Sequence, residues 1–492
     1  MIVVGAGPAG STAAHYLSIA GYDVIIVDRC KFPRDKICGD FVSPIAQNEL
    51  AKLGITSTPE FKSANKITKA SVYLDSNKLV SRVVPRVPGL PRYGRVVPRL
   101  ILDKLLLDSA CSEGAAFLQN LRAVEMRVRY RSVELDTDGP DGKRTLKARL
   151  LIGADGSNST IARIVRGQPP SSSDRIIAIR GYFTDVEGPL NQADLHFNKQ
   201  SFPGYCWLFP ISKNQANVGV GVVLDTIPSG NRLKELLYHL ISNDAALGRR
   251  LKNAKLIGQI EGWPLTTYNS SQSLVSNRVM LLGDAAGLVN PLNGEGIQYA
   301  RLSGRWASEV AISCLNANDL SNEALTAYQD IVERELQYGM SIARLIVQLI
   351  RNRSYNKLWL RLLKLMSARS RVDSNYADIV GGILMGTVPQ SEATNLEVVR
   401  GTIEQAMLSM DLNSWVEMVQ DPNLLAQSAL ETIQTGFEVA AQAIQNPSAL
   451  LDWAIKSATS AINVSVISSN FTEAPRKRNT TNSELKRTLK TE

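Results

Sequence analysis

Three glycine-bearing turns, each preceded by a short apolar run, hold most of the residues in this sequence that can do chemistry. The first is Gly5-Ala6-Gly7-Pro8-Ala9-Gly10, after Ile2-Val3-Val4. In such a turn Gly5 permits the tight bend, Gly7 lets a pyrophosphate approach the backbone, and Gly10 lets helix and strand pack closely. The helix that Pro8 and Ala9 open presents unpaired N–H groups and a positive dipole end to phosphates. Asp28 closes the next apolar run, Asp23 to Asp28, with Arg29 beside it, and is placed to accept hydrogen bonds from a ribose. The pattern predicts a dinucleotide site.

The other two turns decide which dinucleotide. Gly153-Ala154-Asp155-Gly156-Ser157-Asn158-Ser159 follows Leu150-Leu151-Ile152, and Gly283-Asp284-Ala285-Ala286-Gly287 follows Val279-Met280-Leu281-Leu282. The latter runs on through Pro291 to Gly294-Glu295-Gly296-Ile297. An aspartate at a strand end, Asp284, suits a ribityl hydroxyl. A helix opening at Gly294 and Gly296 would aim its positive end at a flavin ring and favour negative charge on the reduced form. One fingerprint with these two units predicts permanently bound FAD.

The elements that must position these groups are readable at coarse grain. Residues 2–28 read as strand, turn, helix and strand, with Pro8 in the first helical turn and Gly21 ending the helix. The first strand is short, which fits either a start a few residues upstream or a brief strand. From 71 to about 87 the pattern is β-like, 99–116 is helical, and 177–224 reads as strands of a separate sheet rich in Tyr, Phe, Trp and Val. The expected class is α/β: a Rossmann-type FAD-binding domain from 1–70, 92–165 and 275–330, an inserted antiparallel β-sheet substrate domain from 71–91 and 166–274, and an α-helical C-terminal region. In that region 331–390 is basic and helical, 391–470 is an acidic helical extension, and 471–492 is expected to be disordered.

Composition sets the outer bounds. With 44% hydrophobic and 21% charged residues the chain is of globular type. No apolar run is long enough for a spanning helix, and the start lacks a signal peptide's pattern. The five cysteines form no C-x-x-C pair, so no zinc site, iron–sulfur module or disulfide framework is expected. The three histidines, His15, His196 and His239, have no partner motif. The expected compartment is cytoplasmic and reducing, and no nucleic-acid partner is indicated. The net charge of +9 is uneven: 336–372 carries eight Lys and Arg and no acid, whereas 391–470 has nine acids against two bases. The basic stretch has Ile342, Leu345, Ile346 and Leu349 on one helical face. That reads either as a surface for an anionic bilayer, through 340–371, or as core-packed helices with a solvated basic face. The acidic extension is read as a surface for a protein partner.

Beyond the glycine turns, Lys36-Ile37-Cys38-Gly39-Asp40 and Pro203-Gly204-Tyr205-Cys206-Trp207-Leu208-Phe209-Pro210 resemble two blocks of the geranylgeranyl reductase family, a branch of the p-hydroxybenzoate-hydroxylase-like flavoproteins. The resemblance covers about residues 1–386. It implies an FAD oxidoreductase that reduces isolated double bonds of an isoprenoid chain by hydride transfer. It places Arg99 on the flavin-binding helix and gives Val124 a backbone contact to adenine. Phe183, Tyr205, Trp207 and Phe209 are the expected cavity walls, and Cys38, Gly39 and Asp40 the group that shapes the site or assists protonation. Phe41 and the extension after Ser391 depart from the family pattern and bear on substrate identity. The electron donor is left open among NADPH bound transiently, ferredoxin and a deazaflavin. An aromatic monooxygenase of the same fold is the alternative; a halogenase, a quinone-linked electron-transfer flavoprotein and a non-catalytic flavin scaffold fit less well.

Overall fold

The computed structural model describes residues 1–227, 233–408 and 447–473. A six-stranded sheet carries the three glycine turns. Its order is Val275–Ser276, Val279–Leu281, Leu151–Gly153, Ile2–Val4, Ile25–Val27 and Ala116–Leu118. All neighbours are parallel except the first two, which form a hairpin. Strands buried on both faces explain why the runs Ile2-Val3-Val4 and Val279-Met280-Leu281 are apolar without alternation. Each of the three central strands ends at the same edge, so the glycine turns converge there.

Helix Pro8–Ile19 begins at the first turn with Pro8 in its opening position. It ends as expected at Gly21, whose φ is +81°, with Gly21 and Tyr22 N–H donating to the Ser18 and Leu17 carbonyls at 2.9 and 3.1 Å. Helix Ile297–Asn316 packs along it, and the long helix Asn322–Ile350 follows.

A seven-stranded sheet stands against this layer. Its order is Lys255–Thr266, Arg175–Thr184, Gln215–Val223, Tyr205–Ser212, Gln192–Phe197, Lys69–Leu74 and Asn77–Val83. Gln192–Phe197 and Lys69–Leu74 run parallel; the other neighbours are antiparallel. One face packs on helices Leu233–Asn243 and Ala245–Arg250 through Phe183, Cys206, Leu208, Val218 and Leu240. The other face roofs a cavity.

Helices Asn356–Val372, Ser374–Leu384 and Leu396–Leu408 close the far end of that cavity, and helix Pro447–Glu473 lies along Asn322–Ile350. The last helix runs three residues into the stretch expected to be a disordered tail. The remainder of that tail, and 409–446 of the acidic extension, lie outside the described residues. Among the described residues no helix is long and apolar enough to cross a membrane.

Candidate functional site

The first glycine turn has the geometry its residue types require. Gly5 takes φ +105°, and a side-chain carbon there would overlap the Ala154 backbone; one at Gly10 would overlap the Gly5 carbonyl. At Gly7 the same carbon would meet only Arg34 Nη2, at 3.7 Å, so this face is open. Gly7 and Gly296 begin their helices with no side-chain cap, and both helix ends open on one cavity of about 700 Å3. Two sets of uncapped N–H groups converging on a cavity fit a polyanionic cofactor.

Asp28 supports the turn from outside. Its Oδ2 accepts the Ala6 N–H at 2.8 Å and its Oδ1 the Cys30 N–H at 2.9 Å, which leaves each oxygen a further lone pair for a ribose. Arg29 is exposed, with its guanidinium 5.3 Å from the Trp263 ring centroid. Val124 is the residue skipped where the ladder between Arg122–Val128 and Val133–Gly139 shifts register. A bulge takes backbone groups out of regular pairing, which is what a backbone contact to adenine requires.

Asp155 serves a helix start. Its Oδ2 accepts the Thr160 N–H at 2.7 Å and its Oδ1 the Ser159 hydroxyl at 2.5 Å, so both oxygens serve the start of helix Thr160–Arg166. Asp284 lines the cavity. Lys36 Nζ lies 3.1 Å from its Oδ2, and the Ser157 hydroxyl donates to the same atom at 3.1 Å. Burial works against charge on Asp284, but the Lys36 and Arg99 cations outweigh it and hold the carboxyl below its ordinary range. Pro291, Gly294, Gly296 and Ile297 line the same wall, while Gly283 lies buried at the start of the turn. Arg99 opens helix Arg99–Ser112, where Asp103 grips Nε and Nη2 at 2.6 and 2.7 Å. Burial opposes the Asp103 charge as well, and Arg99 and Arg34 overcome it.

Beyond these groups the cavity becomes apolar. Tyr205, Trp207 and Phe209 alternate along one strand and share its cavity face, with centroids of neighbouring rings 6.3 Å apart. Phe41 joins them, 5.6 Å from Phe209. Ile346, Ile350, Trp359, Leu362, Leu363 and Met366 wall the distal end. Of the stripe Ile342, Leu345, Ile346 and Leu349, Ile346 thus lines the cavity and Ile342 is buried. Several of its basic neighbours are internal straps: Arg344 pairs with Asp174 at 2.7 Å, Arg351 with Asp225 at 3.1 Å and Arg369 with Asp373 at 2.9 Å.

Phe183 is not a cavity wall. It lies on the opposite face of the sheet, in the cluster with Cys206, Leu208 and Leu240. Side chains alternate along a strand, so the face toward the site belongs to its neighbour Tyr182.

Tyr182 enters a polar network that the sequence reading missed. Asp40 is completely buried, with φ +61°. Its Oδ2 accepts the Tyr182 hydroxyl at 2.7 Å and Asn217 Nδ2 at 2.9 Å, and its Oδ1 accepts the Arg99 N–H at 3.3 Å. Trp207 Nε1 donates to Asn217 Oδ1 at 2.9 Å, and Asn217 Nδ2 also reaches the Cys38 carbonyl at 2.7 Å. Arg180 lies over the Tyr182 ring, 4.2 Å from its centroid, and binds Asp35 at 2.5 Å. Burial pushes Asp40 up to about 6 despite these donors. Cys38 and Gly39 line the cavity, whereas Asp40 lies behind them. A side-chain carbon at Gly39 would crowd Phe209 Cε2, 3.1 Å from it. Burial raises the Cys38 thiol, with Arg99 opposing, so it stays protonated.

Comparison with known proteins matches this arrangement. The FAD binding domain family matches residues 1–300. Menaquinone reductase from Mycolicibacterium smegmatis is 30% identical over 359 residues, spanning 71% of this chain and 84% of that protein. Digeranylgeranylglycerophospholipid reductase 1 from Methanopyrus kandleri is 31% identical over 357 residues, spanning 71% and 90%. Among solved structures, a geranylgeranyl bacteriochlorophyll reductase-like protein from Thermoplasma acidophilum superposes with a TM-score of 0.63 at 22% identity, over 82% of this chain and 98% of that one. A flavin-dependent halogenase, CmlS, superposes at 0.60 with 23% identity, over 69% and 62%. These structural likenesses speak for the fold.

Proposed function

Because the chain belongs to the FAD binding domain family, in its geranylgeranyl reductase branch, we propose that it reduces isolated carbon–carbon double bonds of a prenyl chain. Bound FAD, once reduced by an external donor, supplies the hydride. In this reading Gly5, Gly7, Ala9, Gly10 and Asp28 hold the adenosine and pyrophosphate end, with Val124 at adenine. Asp284, Gly294 and Gly296 hold the ribityl and flavin end. The segments 1–70, 92–165 and 275–330 carry the cofactor, and 71–91 with 166–274 roof the substrate.

The observation that carries the reading is the continuity of the cavity. Arg99 and Asp284 line the same cavity as Trp207, Leu362 and Met366. An isolated alkene has no carbonyl for an enzyme to polarise, so what a protein can contribute is alignment and exclusion of water. An apolar cavity that reaches the flavin loops does both. The network Trp207–Asn217–Asp40–Tyr182 fixes the wall against which the chain would lie, and Cys38 presents a neutral thiol there.

The test is product analysis. The FAD-loaded protein, reduced with dithionite under nitrogen, is incubated with geranylgeranyl diphosphate or a menaquinone, and the lipid is analysed by mass spectrometry. A product heavier by two hydrogens supports the reading. An unchanged lipid, together with an aromatic compound that gains oxygen once air is admitted, would replace it with a monooxygenase.

A further inference from the structure

Three cations line the cavity among the described residues, and two of them are engaged by carboxylates: Lys36 pairs with Asp284 at 3.1 Å and Arg99 with Asp103 at 2.6 Å. The third, Arg82, has no carboxylate partner among the described residues. It stands on Asn77–Val83, the edge strand of the large sheet, and is half-buried. Its Nε donates to the Ser370 carbonyl at 2.9 Å, and Nη2 donates to the same oxygen. Ser370 lies in the last turn of helix Asn356–Val372, where carbonyls lack partners within the helix. That cap fixes the guanidinium but uses only one edge of it. Nη1 has no hydrogen-bond partner among the described residues, so the other edge keeps its donors.

The cavity reaches the surface at this point. Val83, next in the strand, lines the cavity and is 59% exposed, and Pro85 lines it just before the exposed Arg86. Neither 77–93 nor 336–372, the two stretches that meet here, contains an acid, so the rim is positive. From the rim a row of cavity side chains crosses the sheet: Val80 stands opposite Val72, Val72 opposite Leu195, and Leu195 opposite Trp207. Strand spacings of about 4.8 Å make that row about 14 Å long, and Arg82 lies on the same strand face as Val80. At about 5 Å of extended chain per isoprene unit, about three units separate Arg82 from Trp207.

We propose that Arg82 anchors the head group of the substrate, and that this group is an anion of the phosphate type at the end of the prenyl chain. The inference deepens the prenyl-reductase reading and rests on it. The free edge of the guanidinium matches two oxygens of a phosphate. The phosphate stays at the open rim, while the chain lies along the apolar row towards the flavin loops. A neutral quinone ring makes no use of that edge.

The test is calorimetric binding to the oxidised holoenzyme, which cannot reduce the alkene, in a neutral detergent. The probes are geranylgeranyl diphosphate, digeranylgeranylglyceryl phosphate and the uncharged geranylgeraniol. Wild type should bind a phosphate-bearing probe about 10-fold or more tightly than the alcohol. Preference for the diphosphate alone supports a free prenyl diphosphate as substrate, and preference for the glyceryl phosphate supports a lipid. Arg82→Met should lose the preference, and Arg82→Lys, which keeps the charge without the fork, should keep part of it. A wild type that binds the alcohol as tightly as both phosphates would overturn the proposal, and so would an R82M protein with the preference intact. Should R82M fail to bind FAD, R82K decides in its place: a preference reduced by about threefold or more supports the anchor, and an unchanged one overturns it. Product analysis on the reduced enzyme runs beside the binding. A wild type that moves no hydrogen to any of these lipids is a failure of the functional reading, which the affinities do not share; affinities indifferent to phosphate, with reduction intact, defeat this inference alone.

Discussion

Substituting Asp40 with asparagine isolates the electrostatic cost of the carboxyl beneath the aromatic wall. Asparagine is nearly isosteric and tolerates the φ of +61°, so the backbone need not move. Its amide oxygen can still accept from Tyr182 and Asn217. Burial raises Asp40 from its ordinary 3.8 to about 6, with the Tyr182 and Asn217 donors opposing. The folded-state value thus lies above the unfolded one, the reverse of a salt-bridged carboxylate. The native state holds the extra proton between those two values, so stability is full at low pH and falls as pH rises through that window. The displacement is worth about 3 kcal/mol in all, of which about 1.4 kcal/mol falls between about pH 5 and about pH 8. The assay is urea unfolding of FAD-saturated wild type and D40N across that range. Every other titrating group is common to both proteins, so their difference reports Asp40. The stability of D40N relative to wild type should improve by about 1.4 kcal/mol from about pH 5 to about pH 8. A flat difference, or one moving the other way, would refute the reasoning.

Gly10→Ala drives a side-chain carbon into the Gly5 carbonyl; it should cost about 3 kcal/mol and strip FAD from the purified protein, read by flavin absorbance. Phe183→Ala and Trp207→Ala should separate the two faces of the large sheet. Phe183→Ala loses about 4 kcal/mol of stability with prenyl affinity unchanged, whereas Trp207→Ala weakens prenyl binding, measured by calorimetry. Lys36→Met removes the cation that holds Asp284 below its ordinary range, so FAD affinity should fall, and fall further as pH drops. A FAD titration at two pH values that finds no change would discount that ion pair.

The glycine turns were legible because each depends on a few neighbouring residues: a strand, a bend that only glycine allows, and a helix start. The aromatic strand was legible for the same reason, since Tyr205, Trp207 and Phe209 alternate within five residues. What the sequence hid is set by pairing at long range. Phe183 and Tyr182 are equally aromatic, and only the register of Arg175–Thr184 against Gln215–Val223 decides which one faces the cavity. The network ties Asp40 to Tyr182 and Asn217, 142 and 177 residues further along the chain, so no local pattern announces it. Arg180, a charge directly after the apolar run Ile176-Ile177-Ala178-Ile179, was the available signal. Asp155 shows that a helix start and a ligand carboxylate can share one motif: its oxygens accept from Ser159 and Thr160. The stretch 340–371 carries the amphipathic pattern of a bilayer helix, and a protein cavity takes up several of its apolar side chains, Ile346, Trp359, Leu362 and Met366 among them.

The central claim is that reduced flavin in this chain passes its electrons to a prenyl double bond. Stopped-flow mixing of the anaerobically reduced holoenzyme with a prenyl lipid, followed through the return of oxidised-flavin absorbance, tests it most directly. The account predicts reoxidation whose rate saturates with lipid and which disappears when the same lipid is offered with its chain fully saturated. Reoxidation that ignores chain saturation, or that occurs only when oxygen is admitted, would contradict it.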